Sequence, residues 1–581
     1  MIHEVNLERM LQDIHWLVTN TPYRLAGSLA EYQASTYICD QMKKAGLEVN
    51  NDEFFTYNSE PLTSAVEIIL PVPEPLVSLP CAHIHSTKPE GEIFDLVFVG
   101  DGSYNAYKNL DVKGKVVLIE VSYAPPVPEK ARIAAEMGAA GIICMNWGND
   151  EEVICHRGLK AVWGNPTENT VSNIPNLIGV GITRNAGLKL KKYYLAGLDV
   201  KVKISASANK KWSMVHQPVG IIRGNGNDDQ IILVSAHIDA WCPGVTCNAT
   251  GNSTALEICR ILAKHADELN RDVYFVFWNG HEIAEAAGST WFVDNYWDLL
   301  SKKCIAYINI DSTGLIQTKI YEIKASDELL DFSTHMYREF SEDKPLRSMT
   351  LQKIGDQSFM GIGIPAISER MSFTKEDMEA AHGATLGWWN HTDQDGIDKC
   401  DPETLRYDTQ STLQLIFKLA TIKKLPYDFN NFFVKRIKQV SDLSSQYGNH
   451  IDFSDITRNL EIAENNVMEM QRLGGNLQGE EEIRLYNRYM MSVSRFLTNV
   501  FTTYADKYQQ DSYGYTKLNT SIALFFDLER LAKLEKNTFE YGMVSTQIVK
   551  NKNRINDALN QVIELSQLYK ALLNAKSEVK V

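Results

Sequence analysis

The chain has 581 residues, 44% of them apolar, and carries 58 Lys and Arg against 73 Asp and Glu, a formal charge of −15. That length exceeds one ordinary core and predicts about two to four domains. The acidic balance argues against nucleic acid or anionic lipid as a partner, and the sequence has no run of ~18 apolar residues that could span a membrane.

The nine cysteines are scattered, odd in number and form no CxxC pair, which fits reduced thiols. The opening stretch MIHEVNLERMLQDIHWL lacks the apolar core of a signal peptide, so a cytoplasmic location is expected.

In chain order, LERMLQDIHWL (7–17) and YRLAGSLAEYQASTYICDQMKKAGLEV (23–49) predict two helices. Ala30, Ala34, Ile38 and Met42 recur at helical spacing, and Gly46 ends the second helix. Residues near 75 to 210 have the look of an inserted module, with a strand in KGKVVLIEV, a helix running into a strand in EKARIAAEMGAAGIICM, and an extended run in VSNIPNLIGVGIT. GIIRGNGNDDQ (220–230) has no helix N-terminus after it to hold a phosphate, and reads as a hairpin turn.

Strands then alternate with helices: QIILVSAHID (230–239), the amphipathic TALEICRILAKHADEL, DVYFVFWNG (272–280) and CIAYINIDSTG (304–314). Continuous apolar strands separated by helices predict an α/β class, a mostly parallel mixed sheet with helices on both faces. In DPETLRYDTQSTLQLIFKLA, Asp401 is the expected N-cap and Pro402 the first helical residue. From about Pro426 long helical stretches replace the alternation, predicting a C-terminal helical bundle. The expected division is 1–70 with 212–425, an inserted β-rich domain at 71–211, and a helical domain at 426–581.

Metal-capable side chains recur at strand ends, where open α/β sheets build their sites. His237 ends one strand, with Asp239 two residues on. Residues i and i+2 of a strand face the same way, so the Asp239 carboxylate is expected to accept a hydrogen bond from the imidazole and fix its tautomer. His281 and Glu282 follow the next strand, Asp311 follows the third, and His391 lies in WWNHTDQDGID. Two imidazoles with two carboxylates suit zinc, with manganese or cobalt as alternatives.

The pieces RLAGSLAEYQASTYICDQMKKAGLEV, AHIDAWCPGVTCNATGNSTALEICR, FVFWNGHEIAEAAGST, YINIDSTG, GDQSFMGIGIPAIS and WNHTDQDGID resemble the zinc aminopeptidase family of bacterial leucyl aminopeptidases, glutamate carboxypeptidase and the transferrin receptor. GKVVLIEV (114–121) with EKARIAAEMGAAGIICM (129–145) is similar to the protease-associated domain inserted in many members, and the helical tail to the dimerisation domain of the glutamate carboxypeptidase branch.

The resemblance implies a homodimer and two metals, one on His237 and Asp311 and one on Glu282 and His391. The family's bridging aspartate falls on Cys247, and its catalytic glutamate on His281. Setting the register from GST instead makes Glu282 the base and puts Ile283 at the ligand position.

A thiolate is a strong zinc ligand and an imidazole can act as a general base, so an altered metal site is expected in place of a lost one. It holds two metals, or one on Cys247, Glu282 and His391. The expected activity is metal-dependent hydrolysis of a peptide or small amide, with His281 or Glu282 as base and Asp239 in support. The alternatives are a non-catalytic binding or scaffold protein, and a single-zinc cyclase-like enzyme.

Five further residues read both ways. Cys242 is a structural thiol or an added ligand, and His382 a surface histidine or a site residue. Trp388 and Trp389 are core or pocket wall, and Asp356 is a turn cap or a neighbour of the metals.

Overall fold

A computed structural model describes residues 1–149, 152–341, 343–353, 355–511 and 522–579. One continuous sheet runs through the α/β part of the molecule. Its site-bearing half places the strand Ile231–His237 in the middle, between Asp272–Trp278 and Cys304–Asn309, all three parallel. Beyond Cys304–Asn309 lie Ala366–Ser372, parallel to it, then Ile320–Ala325 and Leu346–Thr350. Every residue of Ile231–His237 is buried, as the unbroken apolar run requires of a strand covered on both faces.

The chain leaves Ile231–His237 towards one neighbouring strand and returns later to the other. The C-terminal ends of these three strands therefore flank a topological switch point. The helices Leu7–Asn20, Leu29–Lys44, Thr250–Lys264 and Pro402–Thr421 pack on one face, burying Met10, Ile38, Leu256 and Leu413 in a common core. The Asp401 carboxylate accepts from Thr404 N at 2.7 Å, the cap expected from the sequence.

Two long antiparallel strands, Glu48–Leu70 and Lys201–Ile222, connect this region to the inserted module. At one end Lys201–Ile222 pairs with Asp272–Trp278; at the other it pairs with Glu92–Gly100, which opens the parallel set Val116–Glu120, Gly141–Met145 and Ile178–Ile182. The segment 220–230 is not a hairpin turn. Ile222 pairs with Val273 and Ile231 with Asp272, so the loop passes a whole strand that lies between. Gly-rich chemistry fixes a sharp bend, and strand order is decided by sheet packing far away in sequence.

The C-terminal region packs the helices Asn430–Tyr447, Ser454–Asn476, Glu480–Thr502 and Phe539–Val579. It also meets the α/β part directly: the Arg495 guanidinium donates to the carbonyls of Gly363 (2.6 Å) and Leu300 (3.3 Å). Among the described residues, no helix is long and apolar enough to cross a membrane.

Candidate metal centre

Five side chains converge at the C-terminal ends of the three central strands. His237 is the last residue of its strand and pairs in register with Trp278, which places Glu282 just above the neighbouring strand. On the other side Asn309 pairs with Ser235, and Asp311 follows two residues later. The loop before helix Thr250–Lys264 contributes Cys247, and the loop before Pro402–Thr421 contributes His391.

Cys247 Sγ sits between two half-sites. It lies 3.7 Å from His237 Nε2, which is itself 3.7 Å from Asp311 Oδ1. On the other side it lies 3.4 Å from both Glu282 Oε1 and His391 Nε2, and those two are 3.0 Å apart. Two ligand atoms on one tetrahedral zinc, with Zn–N near 2.0 Å and Zn–S near 2.3 Å, stand about 3.5 Å apart. His237 Nε2, Cys247 Sγ and a Glu282 oxygen all lie within 4.8 Å of one another. The spacing and the donor types fit a metal such as zinc.

Supporting contacts aim these groups. His237 Nδ1 donates to the Asp239 backbone carbonyl at 3.0 Å, leaving the Nε2 lone pair pointed at Cys247 and Asp311. The expected partner was the Asp239 carboxylate, which stands 3.8 Å away. That carboxylate instead accepts from the backbone N–H groups of His281 (3.1 Å) and Glu282 (3.0 Å), and so fixes the turn that carries Glu282. Burial pushes Asp239 up to about 6.

Asp395 plays the same part for the cysteine loop. It accepts from Thr246 N (3.0 Å), Thr246 Oγ1 (2.8 Å) and Cys247 N (3.1 Å). Trp241 Nε1 donates to Glu282 Oε2 at 2.9 Å.

Burial, with Glu282 and Asp311 nearby, pushes the Cys247 thiol well above its ordinary value. Burial also pushes up the Glu282 and Asp311 carboxyls, but His391 at Glu282 and His237 at Asp311 outweigh it and hold both well below the usual range. The thiol therefore holds its proton, and a divalent cation would displace it.

His281 does not point at Cys247. Its ring stacks on His237 with centroids 4.0 Å apart, and Nδ1 lies 3.0 Å from Asp356 Oδ2. Burial pulls the His281 pKa down, and Asp356 with Glu282 more than reverses that, leaving it well above its ordinary value. Ile283 packs in an apolar cluster with Trp241 and Ala287, so the geometry follows the register with Glu282 beside the cysteine.

Of the residues that read both ways, Asp356 reaches His281, Cys242 packs in that same apolar cluster, and His382 is exposed. Trp389 is core, donating to Thr246 Oγ1 at 3.1 Å. Sequence reasoning missed Arg157, which reaches the site from the inserted module. Its Nη1 donates to His391 Nδ1 at 2.7 Å, and its guanidinium lies 4.5 Å from the Trp147 ring centroid.

These groups open onto a cavity of about 510 Å³, whose lining also includes Lys324, Arg347 and Arg370.

Residues 219–416 match peptidase family M28. The M28 segment contains every strand-end residue of the site, and a PA domain match covers residues 75–190, which include Arg157. The chain is 31% identical to an aminopeptidase of Pseudomonas aeruginosa strain UCBPP-PA14 over 188 residues, 32% of this chain and 32% of that protein. It is 20% identical to human transferrin receptor protein 2 over 291 residues, 45% of this chain and 35% of that one. The chain thus spans about a third of the length of these curated relatives.

Among solved structures, the zinc aminopeptidase BSAP of Bacillus subtilis superposes with a TM-score of 0.55 at 20% identity, over 72% of this chain and 97% of that one. A peptidase M28 precursor from Shewanella amazonensis SB2B gives 0.58 at 17% identity, over 71% and 93%. At these identities the likeness to these two structures is one of fold. The expected resemblance to aminopeptidases and the transferrin receptor, and the expected fold class, both hold.

Proposed function

We propose that the chain is a metal-dependent hydrolase of peptide-type bonds, working at the Cys247 site. The observation that carries this reading is the convergence of His237, Asp311, Glu282 and His391 around one thiol at the switch point of an M28-like sheet. A zinc ion bound there would polarise the substrate carbonyl and lower the pKa of an attacking water.

The chain's own residues then have distinct tasks. His237 presents a lone pair at Nε2 because Nδ1 is committed to the Asp239 carbonyl. Asp395 fixes the backbone of Cys247, and Asp239 fixes that of Glu282. His281, backed by Asp356 and partly open to the cavity, holds a proton at its imidazole and is placed to hand it to the departing amine. The shift of His281 to a higher pKa favours this acid role over the base role expected from the sequence.

Glu282, Glu285 and Asp311 line the cavity around the thiol; on another part of its wall Lys324, Arg347 and Arg370 gather about the single carboxylate Glu322, and this local excess of positive charge favours a substrate bearing negative charge. The test is turnover of a peptide panel, with free and blocked amino termini and with acidic and neutral side chains, by the zinc-loaded full chain. Hydrolysis that disappears in His237→Ala supports the reading; no hydrolysis of any member overturns it.

A further inference from the structure

The two half-sites are not equivalent, and the difference lies in what each imidazole is bonded to behind the metal position. A neutral imidazole has one N–H and one lone pair, and a metal needs the lone pair. A ligating histidine therefore donates its other N–H to a carbonyl or carboxylate. His237 does so, donating from Nδ1 to the Asp239 carbonyl.

His391 has the opposite arrangement. The group behind it is Arg157 Nη1, 2.7 Å from Nδ1. A guanidinium carries donors only and does not lose its proton, so His391 Nδ1 must accept. The ring's N–H is then on Nε2, which faces Glu282 Oε1 at 3.0 Å and has no lone pair for a metal.

Arg157 is not a freely swinging side chain. It is buried, with its guanidinium over the rings of Trp147 (4.5 Å) and Tyr123 (5.6 Å). The His391 loop is stitched to the same module by three bonds. His156 N donates to the His391 carbonyl (2.8 Å), Tyr123 Oη to Asn390 Oδ1 (3.1 Å), and Trp147 Nε1 to the Trp388 carbonyl (3.2 Å). His391 itself sits at φ 61°, a left-handed conformation uncommon outside glycine that these contacts maintain. The loop thus holds the ring against Arg157, and letting it turn away would cost several bonds.

We infer that Arg157 restricts this site to a single metal ion, held by His237, Cys247 and Glu282 with Asp311 beside His237, and keeps His391 outside the ligand set as a hydrogen-bond donor to Glu282. This deepens the proposed hydrolase reading and rests on it for the presence of a metal. Arg157 is a positioning residue that acts through His391 and takes no part in ligation. The set first expected for a lone metal, Cys247 with Glu282 and His391, is the one this contact disfavours.

The experiment is zinc stoichiometry of the full chain by elemental mass spectrometry, after stripping, reloading and gel filtration. Wild type is compared with Arg157→Met, Arg157→Gln and the double variant Arg157→Met/His391→Ala. The inference expects one zinc per chain in wild type. A second should appear in the Arg157 variants, tightened by about 10–100-fold, the range of effects from residues behind a ligand. It should be lost again in the double variant.

Two zincs in wild type would overturn the inference while leaving a metal-dependent hydrolase intact. One zinc in both wild type and folded Arg157 variants would also overturn it. No zinc in any form would overturn both this inference and the reading beneath it. The wild-type count decides even if the variants fail to fold.

Discussion

The Cys247 thiol lies 3.4 Å from the Glu282 carboxylate and 3.7 Å from the His237 imidazole, so a single sulfur atom joins both sides of the site. Removing it should empty the centre. Cys247→Ala is expected to lower zinc affinity by more than the roughly 10–100-fold that a supporting residue costs. Competition with a chelating dye of known affinity measures this, with far-ultraviolet circular dichroism to verify folding. Unchanged zinc affinity would remove Cys247 from the ligand set.

Asp395 supports the loop that carries the cysteine. It accepts three hydrogen bonds from Thr246 and Cys247 within a buried setting. Asp395→Ala leaves those donors unpaired and is expected to destabilise the chain by about 1–3 kcal/mol, with a parallel loss of zinc affinity. Urea denaturation with and without zinc separates the two effects.

His281 and Asp356 form a pair, so their substitutions should not add. Asp356→Asn is expected to lower kcat by about 10²–10⁴-fold with little change in KM, if the proton on His281 is used in the reaction. His281→Ala should cost a similar amount and the double variant hardly more, while zinc content stays constant. Additive losses would show the two residues acting separately.

Glu369 gives a prediction on pH and stability independent of the metal. Burial raises its carboxyl to about 8, opposed by the nearby Tyr321 and Ser411 hydroxyls, of which Ser411 Oγ donates at 3.4 Å, and reinforced by Asp408. The folded state therefore binds a proton that the unfolded chain, with a carboxyl near 4.5, has released. Stability from this group is full below about pH 4.5 and is lost as pH rises through about 8. Glu369→Gln should flatten the fall in denaturation midpoint between about pH 5 and pH 8. A slope identical to wild type would count against it.

Much of the site was legible before the structure. His237, Glu282 and Asp311 stand out because apolar strands end in ligand types at three successive places, and a parallel sheet brings such ends together. Cys247 was visible only through the resemblance, since a thiol in a loop has no period or pattern of its own. The Asp239 carboxylate was assigned to the imidazole on strand alternation, but the chain turns at once after His237 and the carboxylate swings to the His281 turn.

Arg157 was not legible at all. It lies 234 residues from His391 in an inserted module, and no local pattern says which of that module's side chains faces the sheet. The bend at 220–230 was legible as a bend, while the strand that fills the gap beside it comes from residues 272–278.

Cobalt substitution reads out whether Cys247 binds the metal. Cobalt(II) bound by a thiolate has an intense sulfur-to-metal charge-transfer band in the near ultraviolet, which nitrogen and oxygen ligands do not give. The stripped chain titrated with cobalt(II) should develop this band to saturation, and the Cys247→Ser variant should lack it. Visible cobalt transitions with no charge-transfer band in the wild-type chain, or a band that survives in Cys247→Ser, would mean that Cys247 is not a metal ligand.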